Sequence, residues 1–365
     1  MKSIADSATT AAWEAVAEWY HAFFTGVVLT VVTRRSAREA AELVFRIFRR
    51  QHLERFLPGL RKLGLEGLPH AVAAAQYHYL SNAIGGVSVE YMYESDRKAW
   101  IRYSPPRWIW RGTAICAIPS EVSRAMLLGW HAHNGVSLNN KRLGFVCTKQ
   151  TVDGQSGLEG YYYEYDHDLA PEERLQFERQ SNAPVFDAAK APTLPTSDWP
   201  EARLQKARRN YAIEYVRTTI PEAIQLFGPS EAANLLGLTG RLIGMQFFHE
   251  TRKAFELSAD QDPEAFAKFM VLLARAQGDT SEYDVSDGVV RIRQSTWTLM
   301  NGVPNVPSAA FTCWNGLLEG ALAAHNHNFE LKVSQRLDTG DSVFEWLVTK
   351  PRATTPNTQA GDTRT

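Results

Sequence analysis

Cysteine is scarce in this chain, and its three copies, Cys116, Cys147 and Cys313, lie far apart. No two of them have the C-x-x-C spacing of structural zinc sites and dithiol redox sites. Thiols this few and this scattered also argue against a disulfide framework, on which small secreted domains depend. We therefore expect a cytoplasmic protein with no metal site, and nothing in the sequence requires another cofactor.

An excess of charge of one sign is missing too, because 39 basic residues are balanced by 40 acidic ones. A nearly neutral chain has no general electrostatic attraction to nucleic acid or to anionic membranes. One basic cluster, Arg46, Arg49, Arg50 and Arg55, is interspersed with glutamates, which favours a solvated helix face over a nucleic-acid site. We expect a small molecule as partner, and neither nucleic acid nor a membrane.

Long hydrophobic runs and several common functional motifs are also absent. The apolar stretch 23–32 is too short to span a bilayer and predicts a buried helix. Residues 1–10 lack the basic start and apolar run of a secretory signal, and the polar residues 351–365 predict a disordered tail. No P-loop, G-x-G-x-x-G, G-x-S-x-G or H-E-x-x-H motif occurs, which argues against ATP, NAD and zinc-protease chemistry.

The chain does contain an ordered series of motifs that occur twice. Four motifs recur in unchanged order: Pro69-His70-Ala71 as Pro263-Glu264-Ala265, Asp96-Arg97 as Asp287-Gly288, Ile-Arg-x-Ser at 101–104 and again at 292–295, and Ile118-Pro119-Ser120 as Val306-Pro307-Ser308. The offset between the copies drifts only from 194 to 188 residues. This period is far too long for a solenoid, so the series predicts a duplicated domain.

Both copies show the same succession of helical periodicity, a hairpin, a helix and a second hairpin. The predicted fold class is α+β, with two tandem similar domains, each made of helices and an antiparallel sheet built from hairpins. We place the first repeat at 1–168 and the second at 206–350. The segment 169–205 is rich in proline and charge, which is typical of a linker.

The second copy carries a pattern that resembles known families. Cys313-Trp314-Asn315-Gly316 opens a predicted helix, and a strand at 331–337, a Gly340-Asp341 turn and a last strand with Phe344 follow. This pattern, within 270–350, resembles the L-2-amino-thiazoline-4-carboxylic acid hydrolase family and the vinyl-4-reductase-type small-molecule-binding domain. The first family usually has Asp at Gly316 and Cys at Phe344, and the zinc-ligating cysteines of the second are missing. The resemblance implies C–N bond hydrolysis in one case and ligand binding in the other.

Candidate catalytic residues lie in the second copy. Cys313 is predicted near the start of a helix, where the dipole favours a thiolate nucleophile, and His249 or Glu319 could act as its base. At offset 188 the first copy has Ala125 in place of Cys313. The second copy is therefore predicted to hold the pocket, with the first as a structural or gating partner. Candidate substrate contacts are Trp314, Asn315, Trp108 and Trp130.

Each of these residues also has a plainer interpretation. Cysteine often packs as a small buried hydrophobe, and His249 lies near a predicted helix end that solvent could surround. The pair His131-Ala132-His133 fits a helix cap better than a metal site. The many aromatic residues of the first copy could form a cage for a planar ligand, or a contact with the other domain or with a second copy in a homodimer.

Two functions therefore remain open. The first is a cytoplasmic, cofactor-independent hydrolase or lyase that acts on a C–N or C–S bond of a small heterocyclic or amide-like molecule. The alternative is a non-catalytic protein that binds or senses an aromatic or hydrophobic small molecule.

Overall fold

The computed structural model describes residues 10–104, 114–194 and 198–350, and the structural statements below concern those residues. The chain folds into helices and two sheets, so the predicted α+β class is confirmed. The predicted disordered tail, 351–365, and the candidate residue Trp108 lie outside the described residues.

The first half forms one sheet with helices packed against it. Its helices are α1 (Thr10–Arg34), α2 (Ala37–Lys62), α3 (His70–Ile84), α4 (Ser120–Gly129) and α5 (Asn134–Ser137), and its strands are β1 (Val89–Ser95), β2 (Lys98–Tyr103), β3 (Leu143–Lys149), β4 (Leu158–Glu164) and β5 (Leu175–Phe177). The strand order is β1-β2-β4-β3-β5, with β5 parallel to β3 and the other neighbours antiparallel.

The second half repeats this order of elements. Its helices are α6 (Glu201–Phe227), α7 (Pro229–Ala254), α8 (Pro263–Gln277) and α9 (Ala309–His325), and its strands are β6 (Ser281–Ser286), β7 (Val289–Gln294), β8 (Glu330–Gln335) and β9 (Phe344–Thr349). The antiparallel strand order β6-β7-β9-β8 matches β1-β2-β4-β3. The two halves thus share a topology, and their superposition stays a prediction.

The two hairpin tips predicted from sequence are both present. β1 and β2 turn at Asp96-Arg97, and β6 and β7 turn at Asp287-Gly288. Asp287 and Gly288 have φ angles of 54° and 72°. Two-residue hairpins favour this backbone because its twist matches that of the strands, and Asp-Gly adopts it readily. Local residue chemistry therefore sets the turn between β6 and β7.

The hydrophobic core is continuous through both halves. Helix α1 packs on α6, α7 and α8 of the second half, whereas α6 packs on α1, α2 and α3 of the first. The first helix of each half packs against helices of the other half. Residues 1–168 and 206–350 therefore do not have separate cores. The two-domain division predicted from sequence therefore describes the topology better than the packing.

The predicted linker, 169–205, needs correction at both ends. Residues 175–177 form β5, which pairs with β3 and gives its outer edge hydrogen-bond partners. An uncovered edge strand leaves backbone groups without partners, so this short strand completes the first sheet. Helix α6 then begins at Glu201, inside the predicted linker.

Helix α1 is long and apolar enough to cross a membrane by length and composition. In this fold, 67% of its most apolar window is buried inside the protein. Phe23, Phe24 and Val27 are at most 1% exposed, which confirms the predicted buried helix at 23–32. Packing against α6 and α7 accounts for the composition of α1.

Candidate functional site

A cavity of about 590 Å³ opens between α2 and α3 of the first half and α6. Two further cavities have only about 10 Å³ each, which is space for about one water molecule. Sites for small organic molecules have volumes of roughly 300–1,000 Å³. The large cavity is therefore the candidate functional site.

Aromatic side chains form much of the cavity wall. The rings that line it are Phe48, Tyr77, Tyr103, Trp130, Trp199, Tyr211 and Tyr215. The rings of Tyr77 and Trp130 are stacked at 6.3 Å with an interplanar angle of 20°. Flat aromatic faces of this kind favour a planar ligand, because they bury its surface at low entropic cost.

Three buried polar residues, which we call the floor cluster, also line the cavity: His78, Tyr103 and His131. The Tyr103 hydroxyl lies 2.9 Å from Nδ1 of His78 and 3.1 Å from Nε2 of His131. The two imidazole rings are stacked at 4.2 Å and are nearly parallel, at 16°. A hydroxyl has one hydrogen, so in these two bonds Tyr103 donates to one imidazole and accepts from the other.

Four charged residues, which we call the charged rim, line the cavity as well: Arg55, Lys62, Glu214 and Arg217. Glu214 forms ion pairs with Arg55 at 2.8 Å and Arg217 at 3.4 Å. The Lys62 ammonium lies 5.0 Å from the centre of the Trp199 ring. With three cations and one carboxylate, the rim has an excess of positive charge.

In the second half, two tryptophans stand at positions where the first half has smaller residues. Strand pairing places Gly160 opposite Ile101 in the first sheet and Trp346 opposite Ile292 in the second. At offset 188, Met126 of the cavity wall corresponds to Trp314. Trp314 and Trp346 are at most 1% exposed and line one of the 10 Å³ cavities. Both indole rings are thus part of the buried core of the second half.

The floor cluster is not repeated either. Tyr103 is the variable residue of the first Ile-Arg-x-Ser motif, and Gln294 stands at that place in the second. At offset 188, Glu319 corresponds to His131. The large cavity lies between the two halves, because α6 of the second half forms one of its walls, and the assignment of the pocket to the second half stays a prediction.

The three predicted catalytic residues do not meet at this cavity. Cys313 is fully buried in α9, and burial raises the pKa of its thiol to about 12, which opposes a thiolate. His249 is exposed on α7. Glu319 forms an ion pair with Arg241 at 3.0 Å and accepts a hydrogen bond from Nδ2 of Asn315 at 2.8 Å. None of the three lines the large cavity.

The predicted substrate contacts divide in the same way. Trp130 lines the large cavity, whereas Trp314 and Asn315 are buried away from it. Nε1 of Trp314 donates to the Tyr20 hydroxyl at 3.3 Å, and Oδ1 of Asn315 accepts from Nε1 of Trp346 at 2.9 Å. These bonds satisfy buried polar groups, so both residues have structural roles in the second half.

Sequence reasoning missed His78, counted Tyr103 only among the aromatic residues of the first copy, and interpreted His131 and His133 together as helix caps. The capping role fits His133, whose Nδ1 donates to the backbone oxygen of Leu128 at 2.8 Å. His131, two residues earlier on a 3-10 turn, points instead to Tyr103. The H-x-H pattern was the sequence signal that could have pointed to His131. Its two imidazole rings have different structural roles, since His131 bonds to Tyr103 and His133 caps the helix.

Among the described residues, no group of three or more His, Cys, Asp or Glu side chains could hold a metal ion. Comparison with protein-family models, with curated proteins and with solved structures gives no match. The resemblance to the hydrolase family and the vinyl-4-reductase-type domain therefore stays a prediction.

Proposed function

We propose that this protein binds a planar small organic molecule in the cavity between α2, α3 and α6. The observation that carries the proposal is the cavity of about 590 Å³, which combines aromatic walls with the floor cluster and the charged rim. Apolar walls with a few convergent polar groups are the usual composition of ligand sites. The surplus of rim cations favours an anionic group on the ligand.

Binding in this cavity has better support than hydrolysis by Cys313. A cysteine nucleophile needs a lowered pKa and a base within reach, whereas the buried Cys313 thiol has a raised pKa. The predicted hydrolase activity, the homodimer and the cytoplasmic location stay predictions.

The test uses 8-anilinonaphthalene-1-sulfonate, an anion with a planar naphthalene ring whose emission rises in apolar sites. Ala207 lies on the α6 wall of the cavity, and Ala207→Trp places an indole in that space. Ala202 is exposed near the start of α6 and does not line the cavity, so Ala202→Trp is the matched control. We expect saturable 1:1 binding by the wild type and the control, and loss of binding in Ala207→Trp, measured by fluorescence titration.

Thermal unfolding of both variants checks that each is folded, because partly unfolded chains also bind this dye. Equal affinity of the folded Ala207→Trp and Ala202→Trp variants would place the dye elsewhere and contradict the proposed site.

A further inference from the structure

Helix α2 presents one stripe of residues to the cavity. Phe48, Gln51, Arg55, Gly59 and Lys62 all line it and stand three or four positions apart, which places them on one face of the helix. Phe48 and Gln51 are 4% and 5% exposed, whereas Arg55 and Lys62 are exposed. The buried residues therefore mark the inner end of the cavity, and the exposed ones mark its mouth.

At the inner end, Gln51 has a bonded amide nitrogen and an open amide oxygen. Its Nε2 donates to the backbone oxygen of Glu214 and to Oγ1 of Thr218, both at 3.4 Å. The Thr218 hydroxyl donates its own hydrogen to the same backbone oxygen at 2.9 Å, so Oγ1 accepts from Gln51. Two acceptors on that side fix the nitrogen there. Oε1 accepts no hydrogen bond from the described residues and is not sealed from solvent, so it is an acceptor open to a molecule in the cavity.

At the mouth, Lys62 is the rim cation that has no carboxylate partner. Arg55 and Arg217 are both paired with Glu214. The Lys62 ammonium forms no ion pair with the described residues and lies over the Trp199 ring. An aromatic face attracts a cation but does not neutralise its charge. Lys62 can therefore bind an anionic group of a ligand at the mouth of the cavity.

We propose that the ligand is a fused-ring heteroaromatic acid that donates an N–H hydrogen bond to Oε1 of Gln51 and places its anionic group at Lys62. An α-helix rises by about 1.5 Å per residue, so the backbone positions of Gln51 and Lys62 are about 16 Å apart. Two fused rings with a short acidic chain, hydrogen-bonded at both ends, bridge this distance better than a single ring does. The aromatic walls cover the faces of the rings. This inference rests on the proposed function and names the ligand class of the same site.

The test compares three probes. Indole-3-butyrate has a ring N–H and a carboxylate, benzothiophene-3-butyrate has sulfur in place of the N–H, and indole-3-butyramide is neutral. Calorimetric titration measures the Kd of each probe, and displacement of the anilinonaphthalene dye shows whether the probe occupies the same cavity. We expect the wild type to bind the indole acid about three- to tenfold more tightly than the benzothiophene acid, which is the contribution of one hydrogen bond.

Gln51→Leu removes the acceptor, so we expect this variant to bind the two acids with equal affinity. Gln76→Leu is the matched control and should keep the preference for the indole acid. Nε2 of Gln76 donates to the Tyr91 hydroxyl at 3.3 Å, and Gln76 does not line the cavity.

Lys62→Met removes the cation, so we expect it to weaken binding of the indole acid about two- to fivefold and to leave the neutral amide unaffected. Lys62→Arg keeps the charge and should bind the acid as the wild type does. Arg61→Met is the matched control, because the Arg61 side chain is 72% exposed, pairs with Glu66 and does not line the cavity.

The outcomes separate this inference from the proposed function. Equal affinity of the wild type for the two acids overturns the role of Gln51, and this comparison needs no variant to fold. A preference that persists in a folded Gln51→Leu variant overturns it as well. Unchanged acid affinity in Lys62→Met, or an equal loss for acid and amide, overturns the anion site. Binding of the dye but of none of the probes overturns the ligand class and leaves the proposed function intact, whereas absence of binding by dye and probes overturns both.

Discussion

Cys313 and Cys147 are buried, whereas Cys116 is exposed. Burial raises the pKa of both buried thiols to about 12, so neither is a thiolate near neutral pH. We expect iodoacetamide to alkylate Cys116 in the native protein and to reach Cys147 and Cys313 only after urea unfolds the chain. Peptide mass spectrometry distinguishes the three sites. Alkylation of native Cys313 as fast as Cys116 would restore it as a candidate nucleophile.

How much of the site the sequence could predict differs from residue to residue. Trp130 was a predicted contact, and the H-x-H pair drew attention to His131. Tyr103 was noted only as one of many aromatic residues and His78 was not noted at all, because they are 28 and 53 positions from His131 and meet it only through the fold. Single residues whose chemistry depends on distant partners leave no periodic or motif signal.

The hairpins, which depend on local sequence pattern, were predictable. Strand β5, which depends on pairing with β3, was not. Both hairpin tips follow from turn residues and alternating strands. Strand β5 has three residues and pairs only with β3, so its sequence looked like a linker. A short edge strand is determined mainly by its hydrogen bonds with the neighbouring strand, and its own sequence gives little signal.

Helices α7 and α9 approach closely through glycines on both. A Cβ on Gly320 would overlap the backbone oxygen of Arg241, which cannot move without shifting α7. Gly237 on α7 has more space, with its nearest atom, the backbone oxygen of Thr312, at 3.4 Å from an added Cβ. The two glycines are both buried in helices, so they form a matched pair.

We expect Gly320→Ala to lower the free energy of unfolding by about 1–3 kcal/mol, because the helices must separate. Gly237→Ala should remain within about 1 kcal/mol of the wild type, since alanine improves helix propensity and meets no clash. Urea unfolding measures both. If Gly320→Ala were as stable as Gly237→Ala, α7 and α9 would be able to separate without lowering the free energy of unfolding, and the prediction would be wrong.

At the scale of the whole molecule, the repeated order of elements was predicted from the sequence, but the exchange of first helices between the halves was not. Motif offsets report the order of elements, and they carry no information on which half a helix packs against. The exchange is built into the core: Trp19, Tyr20 and Phe23 of α1 are fully buried. Nε1 of Trp314 in the second half donates to the hydroxyl of Tyr20.

This exchange predicts that neither half folds alone. Expressed as residues 198–365, the second half loses α1 and exposes apolar faces of α6 and α7 that α1 covers in the intact chain. We expect this fragment, and the fragment 1–197, each to lack a cooperative thermal transition by circular dichroism. Co-expressed, the two should copurify as a 1:1 complex that unfolds cooperatively, because all core contacts other than the connection itself are then available. A cooperative transition in 198–365 alone would show that the second half has an independent core, as the sequence had suggested.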